Sequence, residues 1–386
     1  MTVRRGLSLF AALPIAAFTL AACDGASPAG GDLIGQGGDP VADSLAVTGL
    51  SSVEVDDYSG GRALGNAPTQ GRLLVGDVVD PEFGDVAATA YVDFARPALP
   101  DGAAGQTPSA VALILPVSDY AYGDTTAALN VQIQQVTQSW TASAAELDAG
   151  QDIAAIAVDG ASASIEPGDS TYVVDFPSAW LASAGSVLTG DIEEYADDFE
   201  GFAITAASGA SGAVRGISAT NVRLRVVVAE DTLFYPADEV YSRVTTDPPP
   251  TNADRTIRDG SGRALGVTLP LADATLEGSA INQARLVLQL DTTALQGGSV
   301  FRPVPSRFTL LGVSSDSTRT PLANASVIEG ALTFSGATVR NVLQQELFGD
   351  ALFERYEIEF LNTTATVNVA PFGRADLTLV RVPPVE

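Results

Sequence analysis

The sequence predicts an all-β protein built as two tandem antiparallel β-sandwich, jelly-roll-like domains, each with one short helix. Three observations carry this prediction. First, Leu129-Asn130-Val131-Gln132-Ile133-Gln134, Val222-Arg223-Leu224-Arg225-Val226 and Tyr356-Glu357-Ile358-Glu359-Phe360 alternate apolar and polar residues, the pattern of a strand with one dry and one wet face. Second, Ala110 to Val117, Ala284 to Leu290 and Arg307 to Val313 are apolar enough to lie inside a sandwich, and Gly, Pro, Asn and Asp punctuate the gaps. The regular helices that a doubly wound parallel sheet needs are not found between them. Third, the order of elements repeats. A strand at Tyr172 to Phe176, a helix over Pro177 to Leu188 with Pro in its first turn, a strand at Gly201 to Thr205 and a closing strand at Asn221 to Ala229 make the first copy. The second copy runs Ala331 to Phe334, helix Ala337 to Leu347, Tyr356 to Leu361 and Ala375 to Val382.

A chain of 386 residues is long for one sandwich. Three consecutive prolines, Pro248 to Pro250, stiffen a linker at 245–254. The expected division is therefore a first sandwich over 41–244 and a second over 255–386. Residues 23–40 are Gly-rich and read as a flexible tether.

The N-terminus supplies the most specific motif. Arg4 and Arg5 precede an apolar stretch from Leu7 to Ala22, too short for a stable span, and Leu20-Ala21-Ala22-Cys23 closes it. That ending resembles the lipobox of bacterial lipoproteins. The resemblance implies that residues 1–22 are a cleaved signal and that Cys23 becomes the N-terminus, its sulfur carrying a diacylglycerol and palmitate type of lipid. An ordinary signal with a chance cysteine is the competing reading. Cys23 is the only cysteine, so no intrachain disulfide can form. Arg4-Arg5-Gly6-Leu7 also resembles a twin-arginine export signal, with the general secretory route as the default.

Composition limits the chemistry further. All 20 basic residues are arginine, and there is no histidine. Serine or cysteine triads built on His, Schiff-base lysines and imidazole metal sites are thereby excluded. Carboxylate chemistry remains, of which a glycosidase pair is the realistic form. Losing Arg4 and Arg5 with the signal takes the net charge from −27 to −29. Such a surface repels nucleic acid, so no nucleic-acid partner is expected, and charged partners should be cations, divalent ones first.

Gly76-Asp77-Val78-Val79-Asp80-Pro81-Glu82-Phe83-Gly84 with the following Val86 to Phe94, Asp32-Leu33-Ile34-Gly35, Glu200-Gly201-Phe202-Ala203-Ile204 and Ile281-Asn282-Gln283-Ala284-Arg285-Leu286 resemble segments of lipoproteins carrying domain of unknown function 4270. That resemblance implies an outer-membrane location and carries no catalytic residues. Asp24, after the cysteine, points instead to the inner membrane under the enterobacterial sorting rule. Ser109-Ala110-Val111-Ala112-Leu113 leading to Val136-Thr137-Gln138-Ser139-Trp140 is similar to secreted carbohydrate-binding jelly-roll modules, a likeness of architecture alone.

Candidate residues follow. Trp140 and Trp180 are the only tryptophans. Trp140 is the candidate for stacking on a glycan, with core packing as the favoured reading of the ring. Trp180 shares a helical stripe with Ala184 and Leu188, which favours core packing. Asp191, Glu193, Glu194, Asp197 and Asp198 read as a solvated acidic loop, with a calcium site built from the same carboxylates as the alternative. Asp77, Asp80 and Asp85 read as turn residues bonding local N–H groups. Two functions stay open: a non-enzymatic, membrane-anchored envelope lipoprotein of binding or structural role, with a polysaccharide or envelope protein as partner and no cofactor unless calcium, or a surface glycoside hydrolase using paired carboxylates. Replacing Cys23 by Ser should abolish acylation and move the protein from the membrane to the soluble fraction, because one sulfur carries the whole lipid attachment. Equal membrane retention in fractionated cells would refute the anchor.

Overall fold

The computed structural model describes residues 39–54, 61–66, 71–82, 84–142, 153–207, 212–246, 255–258, 263–296, 300–349, 352–361 and 367–384. Cys23, nearly all of the tether and most of the expected linker lie outside them. The chain is mostly β, arranged as two large antiparallel sheets with few short helices.

The first half contains β1 (Val41–Ala46), β2 (Gly49–Glu54), β3 (Gly61–Asn66), β4 (Leu73–Val78), β5 (Val86–Phe94), β6 (Ala110–Gly123), β7 (Leu129–Val136), β8 (Ala155–Ile165) and β9 (Thr171–Asp175). Then come α1 (Ser178–Ala184), α2 (Ile192–Asp198), β10 (Phe202–Ala206), β11 (Ala213–Ile217), β12 (Arg223–Val228) and β13 (Asp231–Thr246). The second half contains β14 (Thr256–Arg258), β15 (Arg263–Thr268), β16 (Ala280–Leu290), α3 (Thr292–Gln296), β17 (Arg307–Val313), β18 (Arg319–Ile328), β19 (Ala331–Ser335), α4 (Ala337–Leu347), β20 (Arg355–Phe360) and β21 (Val369–Val382).

The pairings repeat between the halves. In the first, β9–β6–β12 lie side by side, as do β5–β10–β7–β8. In the second, β19–β16–β21 and β15–β20–β17–β18 reproduce both orders. This is the strand exchange of a jelly roll, in which successive strands alternate between two sheets. The fourth strand beside β12 is β13, and the fourth beside β21 is β1.

That last pairing corrects the expected boundary at residue 41. Strands β1 and β2 belong to the second sheet, β1 along β21 and β2 along β15. Strand β21 would otherwise present a bare edge, and Asp43 of β1 bonds Arg381 of β21 across the new one. In the first sheet β13 also pairs with β5, so β13–β12–β6–β11–β4–β5 run round in a closed circuit.

The helices are also corrected, since among the described residues each half carries two α-helices rather than one. The expected helix over Pro177 to Leu188 is α1 followed by a 3₁₀ turn from Gly185 to Thr189, and the acidic run forms α2. Helix α3 follows Asp291, which caps it by accepting from the Thr293 and Ala294 amides. Helix α4 matches its expected bounds.

The halves are joined by more than chain. The core of the first sandwich takes in Leu295, Val367 and Val369 from the second half. The Val367 amide donates to the Tyr120 hydroxyl at 2.9 Å. Gly123 and Phe301 exchange backbone hydrogen bonds of 2.8 and 2.9 Å. Gly123 must be glycine: its φ is +97°, and a Cβ there would stand 2.3 Å from the Gly212 carbonyl oxygen.

Buried beside this bridge is an ion pair. Arg302 grips Asp80 with two parallel bonds of 2.8 Å, Nε to Oδ2 and Nη2 to Oδ1. The Tyr122 hydroxyl donates to Oδ2, and the Glu82 amide donates to Oδ1 at 2.9 Å. Arg258 closes the turn from the other side by donating to the Gly84 carbonyl at 2.8 Å. The turn reading of Asp80 holds, and the carboxylate does more than terminate a turn. Asp80→Asn should destabilise the protein by about 3 kcal/mol, because buried Arg302 would lose its bidentate partner and keep only the half-exposed Glu82 carboxylate. Urea melts read the loss; a change under about 1 kcal/mol would show that the pair does not hold the halves together.

Candidate ligand-binding cleft and acidic cluster

The sheet β9–β6–β12–β13 exposes one face. Registers place Pro236, Arg223, Ile114 and Val173 in one row across it, and Phe234, Arg225, Ala112 and Asp175 in the next. Side chains two apart on a strand share a face, so both rows point the same way. Phe234 is 44% exposed, although the same strand buries Tyr235 completely. The Arg223 guanidinium lies over the Phe234 ring at 4.8 Å, holding it by a cation–π contact. Arg225 meets Asp175 at 3.4 Å in an exposed ion pair, which contributes little.

A cleft of about 420 Å³ opens at the end of this face. Phe234, Pro236 and Arg223 form one wall, and Thr171, Thr220 and Asn221 rim it. Asn221 sits in a 3₁₀ turn, where its amide nitrogen donates to Ser218 and Thr220 at 3.3 Å. The cleft thus joins a flat apolar surface to amide, hydroxyl and guanidinium groups. Its volume falls in the range of small-ligand pockets. Sequence alternation put Arg223 on a wet face but gave no sign that Phe234 shares it, because β13 was not read as a strand.

Trp140 lies elsewhere. It is partly buried, its indole N–H donates to the Glu200 carbonyl at 2.9 Å, and its ring tilts against Tyr91 at 6.2 Å. Tyr91 in turn stacks on Tyr241, and these rings cluster with Val136, Ile153 and Ala203. Trp180 packs in the main core against Phe176 and Phe202, its indole N–H bonded to Gln135 at 3.0 Å. That is the packing its helical stripe predicts.

The candidate calcium residues do not converge. Asp191 caps α2, its carboxylate accepting from the Glu194 amide at 2.7 Å, and Glu193 and Glu194 fill the first turn where the helix dipole favours acids. Asp197 and Asp198 fall in the last turn, where the dipole opposes them. The helix is held by Tyr195, whose hydroxyl donates to the Phe94 carbonyl at 2.5 Å, and by Phe199 in the core. Among the described residues no three His, Cys, Asp or Glu side chains group closely enough to hold a metal ion.

A different set of carboxylates gathers near Trp140. Burial pushes the Asp93 carboxyl up to about 7, and Glu200, Asp238 and Glu239 push it the same way, against the Phe94 amide that donates to it at 2.8 Å. Burial also raises Glu200. Glu239 accepts from the Ala142 amide at 2.7 Å. A carboxyl raised toward neutrality beside other carboxylates is an electrostatic feature that acid and base pairs share. The Phe234 cleft is not lined by it. No protein-family model matches the chain, and no curated protein matches it.

The Asp93 carboxyl has a stability consequence with a definite sign. Its pKa is raised above the unfolded value near 3.9, so the native state holds the proton between about pH 4 and 7 while the unfolded chain has released it. This contribution is present below pH 4 and lost as pH rises through 7. Asp93→Asn should flatten the fall in stability across that window and raise stability at pH 8, by on the order of 2 kcal/mol. Thermal melts from pH 4 to 8 measure it, and parallel wild-type and mutant curves would show that Asp93 titrates normally.

Proposed function

We propose that the protein is a non-enzymatic, lipid-anchored envelope lipoprotein that binds a glycan at the Phe234 cleft. The observation that carries the reading is the exposed ring of Phe234 beside Asn221, Thr220, Thr171 and Arg223 in one cleft. A sugar presents an apolar ring face and a belt of hydroxyls. The first stacks on an aromatic surface, and the second exchange hydrogen bonds with amide, hydroxyl and guanidinium groups. The lipobox-like Leu20-Ala21-Ala22-Cys23 supports anchoring, and absence of histidine and lysine supports binding over catalysis. Within this reading the outer membrane is the site of attachment and the ligand is an envelope or extracellular polysaccharide.

Affinity electrophoresis of the mature protein in detergent, through gels containing a panel of neutral polysaccharides, tests the proposal. At least one polymer should retard the protein, and Phe234→Ala should weaken that binding by about tenfold, or about 1.4 kcal/mol. Trp140→Phe should leave it unchanged. Retardation that survives Phe234→Ala would overturn the assignment of the cleft.

A further inference from the structure

We propose that a second cleft, on the second sandwich, binds the carboxylate of a sugar acid through Arg285 and Arg340. The cleft, about 280 Å³ in volume, is lined by Asn282, Gln283, Arg285, Ser335, Gly336 and Arg340 among others, and by no Asp or Glu. It lies where Arg285 of β16 pairs with Ser335 of β19, immediately before the chain turns through Gly336 into α4. Part of its wall is the Asn282-Gln283-Ala284-Arg285 stretch, within a segment that the sequence marks out and the Phe234 cleft leaves unused.

The two guanidinium groups define the site. The chain carries 47 acids against 20 arginines, and arginine after arginine meets a carboxylate: Arg72, Arg225, Arg302, Arg319, Arg355, Arg374 and Arg381. Among the described residues the Arg285 side chain makes no hydrogen bond or ion pair; only its backbone is engaged, in the β16 ladders. The Arg340 guanidinium bonds, among the described residues, only the side-chain oxygen of Asn341, at 2.8 and 3.1 Å. Two cations without carboxylate partners therefore face one cleft in a strongly acidic protein. Each presents a planar fork that matches a carboxylate. The first turn of α4 adds to this, since it has no side-chain cap and no acid. Asn282, Gln283 and Ser335 supply the amide and hydroxyl groups that ring hydroxyls require.

Charge decides between a single anion and a polyanion. A net −27 repels a densely charged polymer at long range. At about 0.15 M salt the Debye length is about 8 Å, so contact pairs persist while the distant field is screened. The ligand is accordingly a lone uronate on an otherwise neutral glycan. This site stands apart from the Phe234 cleft and does not depend on it.

Isothermal titration of the mature protein in detergent with glucuronate, glucose and acetate tests the inference. Glucuronate should bind at least tenfold more tightly than glucose or acetate. Arg285→Gln and Arg340→Gln should each weaken it at least tenfold, with melting temperatures unchanged because both side chains reach solvent, and Phe234→Ala should have no effect. Acetate binding as tightly as glucuronate would remove the sugar from the proposal. Binding that is absent at millimolar glucuronate, or indifferent to both substitutions, would overturn it. So would a dimer that Arg285→Gln dissolves, which would assign the arginines to carboxylates of a second copy.

Discussion

The carboxylate of Asp80 sits 1% exposed at the junction of the two halves, and all of its hydrogen-bonding capacity is spent there. One oxygen takes the Glu82 amide and Arg302 Nη2; the other takes Arg302 Nε and the Tyr122 hydroxyl. Burial and the neighbouring Asp80 both raise the Tyr122 pKa, so that hydroxyl stays protonated and can donate. Removing two charges from water costs several kcal/mol per ion, and only a pair with bidentate geometry and no unused lone pair offsets it. Arg302 completes its own set with the Glu82 carboxylate at 3.2 Å and the Ala294 carbonyl at 3.4 Å. The turn between β4 and β5 and the Ala294 end of α3 are tied together through this one contact. Two sandwiches that could have been beads on a string are one body.

Much of the architecture was legible in the residues. The repeated order of strand, helix, strand and closing strand is the sequence form of the repeated jelly-roll pairing, and α4 falls where its apolar spacing puts it. Strands β1 and β2 were not legible as part of the second sandwich, because a strand carries the signature of its burial and none of its partner. The strand around Glu357 shows a second limit. Alternation put that glutamate in water, yet it is 1% exposed, its charge met by Arg319 at 2.8 Å and Arg355 at 2.7 Å. The acidic run was read as loop because five carboxylates mask Tyr195 and Phe199, the two rings that seat the helix. Of the candidate site, Trp180 was read correctly and Phe234 was missed: a lone aromatic looks the same in sequence whether its ring faces the core or the solvent.

Arginine as the sole cation gives the protein a particular internal chemistry. Arg215 donates to the carbonyls of Asp124, Thr125 and Ala127, Arg96 to those of Gly190 and Asp191, and Arg255 to that of Gly373. These loops are tied by a planar fork with several donors, which a lysine could not reproduce. Much of the positive charge is thus committed to closing loops or answering nearby carboxylates, which gives the few uncommitted guanidinium groups their weight as ligand contacts.

The pairing of β1 with β21 also sets an order of events. Asp43 and Arg381 are 338 positions apart in sequence, so β1 finds its neighbour only after that whole stretch has followed. Bringing such distant segments together is entropically slow, and long-range contacts of this kind delay folding. The strands β4 to β13 come from a continuous stretch and can pair while β1 and β2 wait, although their core is complete only when Leu295, Val367 and Val369 arrive. The edge of the second sandwich therefore closes late, with β1 drawn back across the intervening strands to β21.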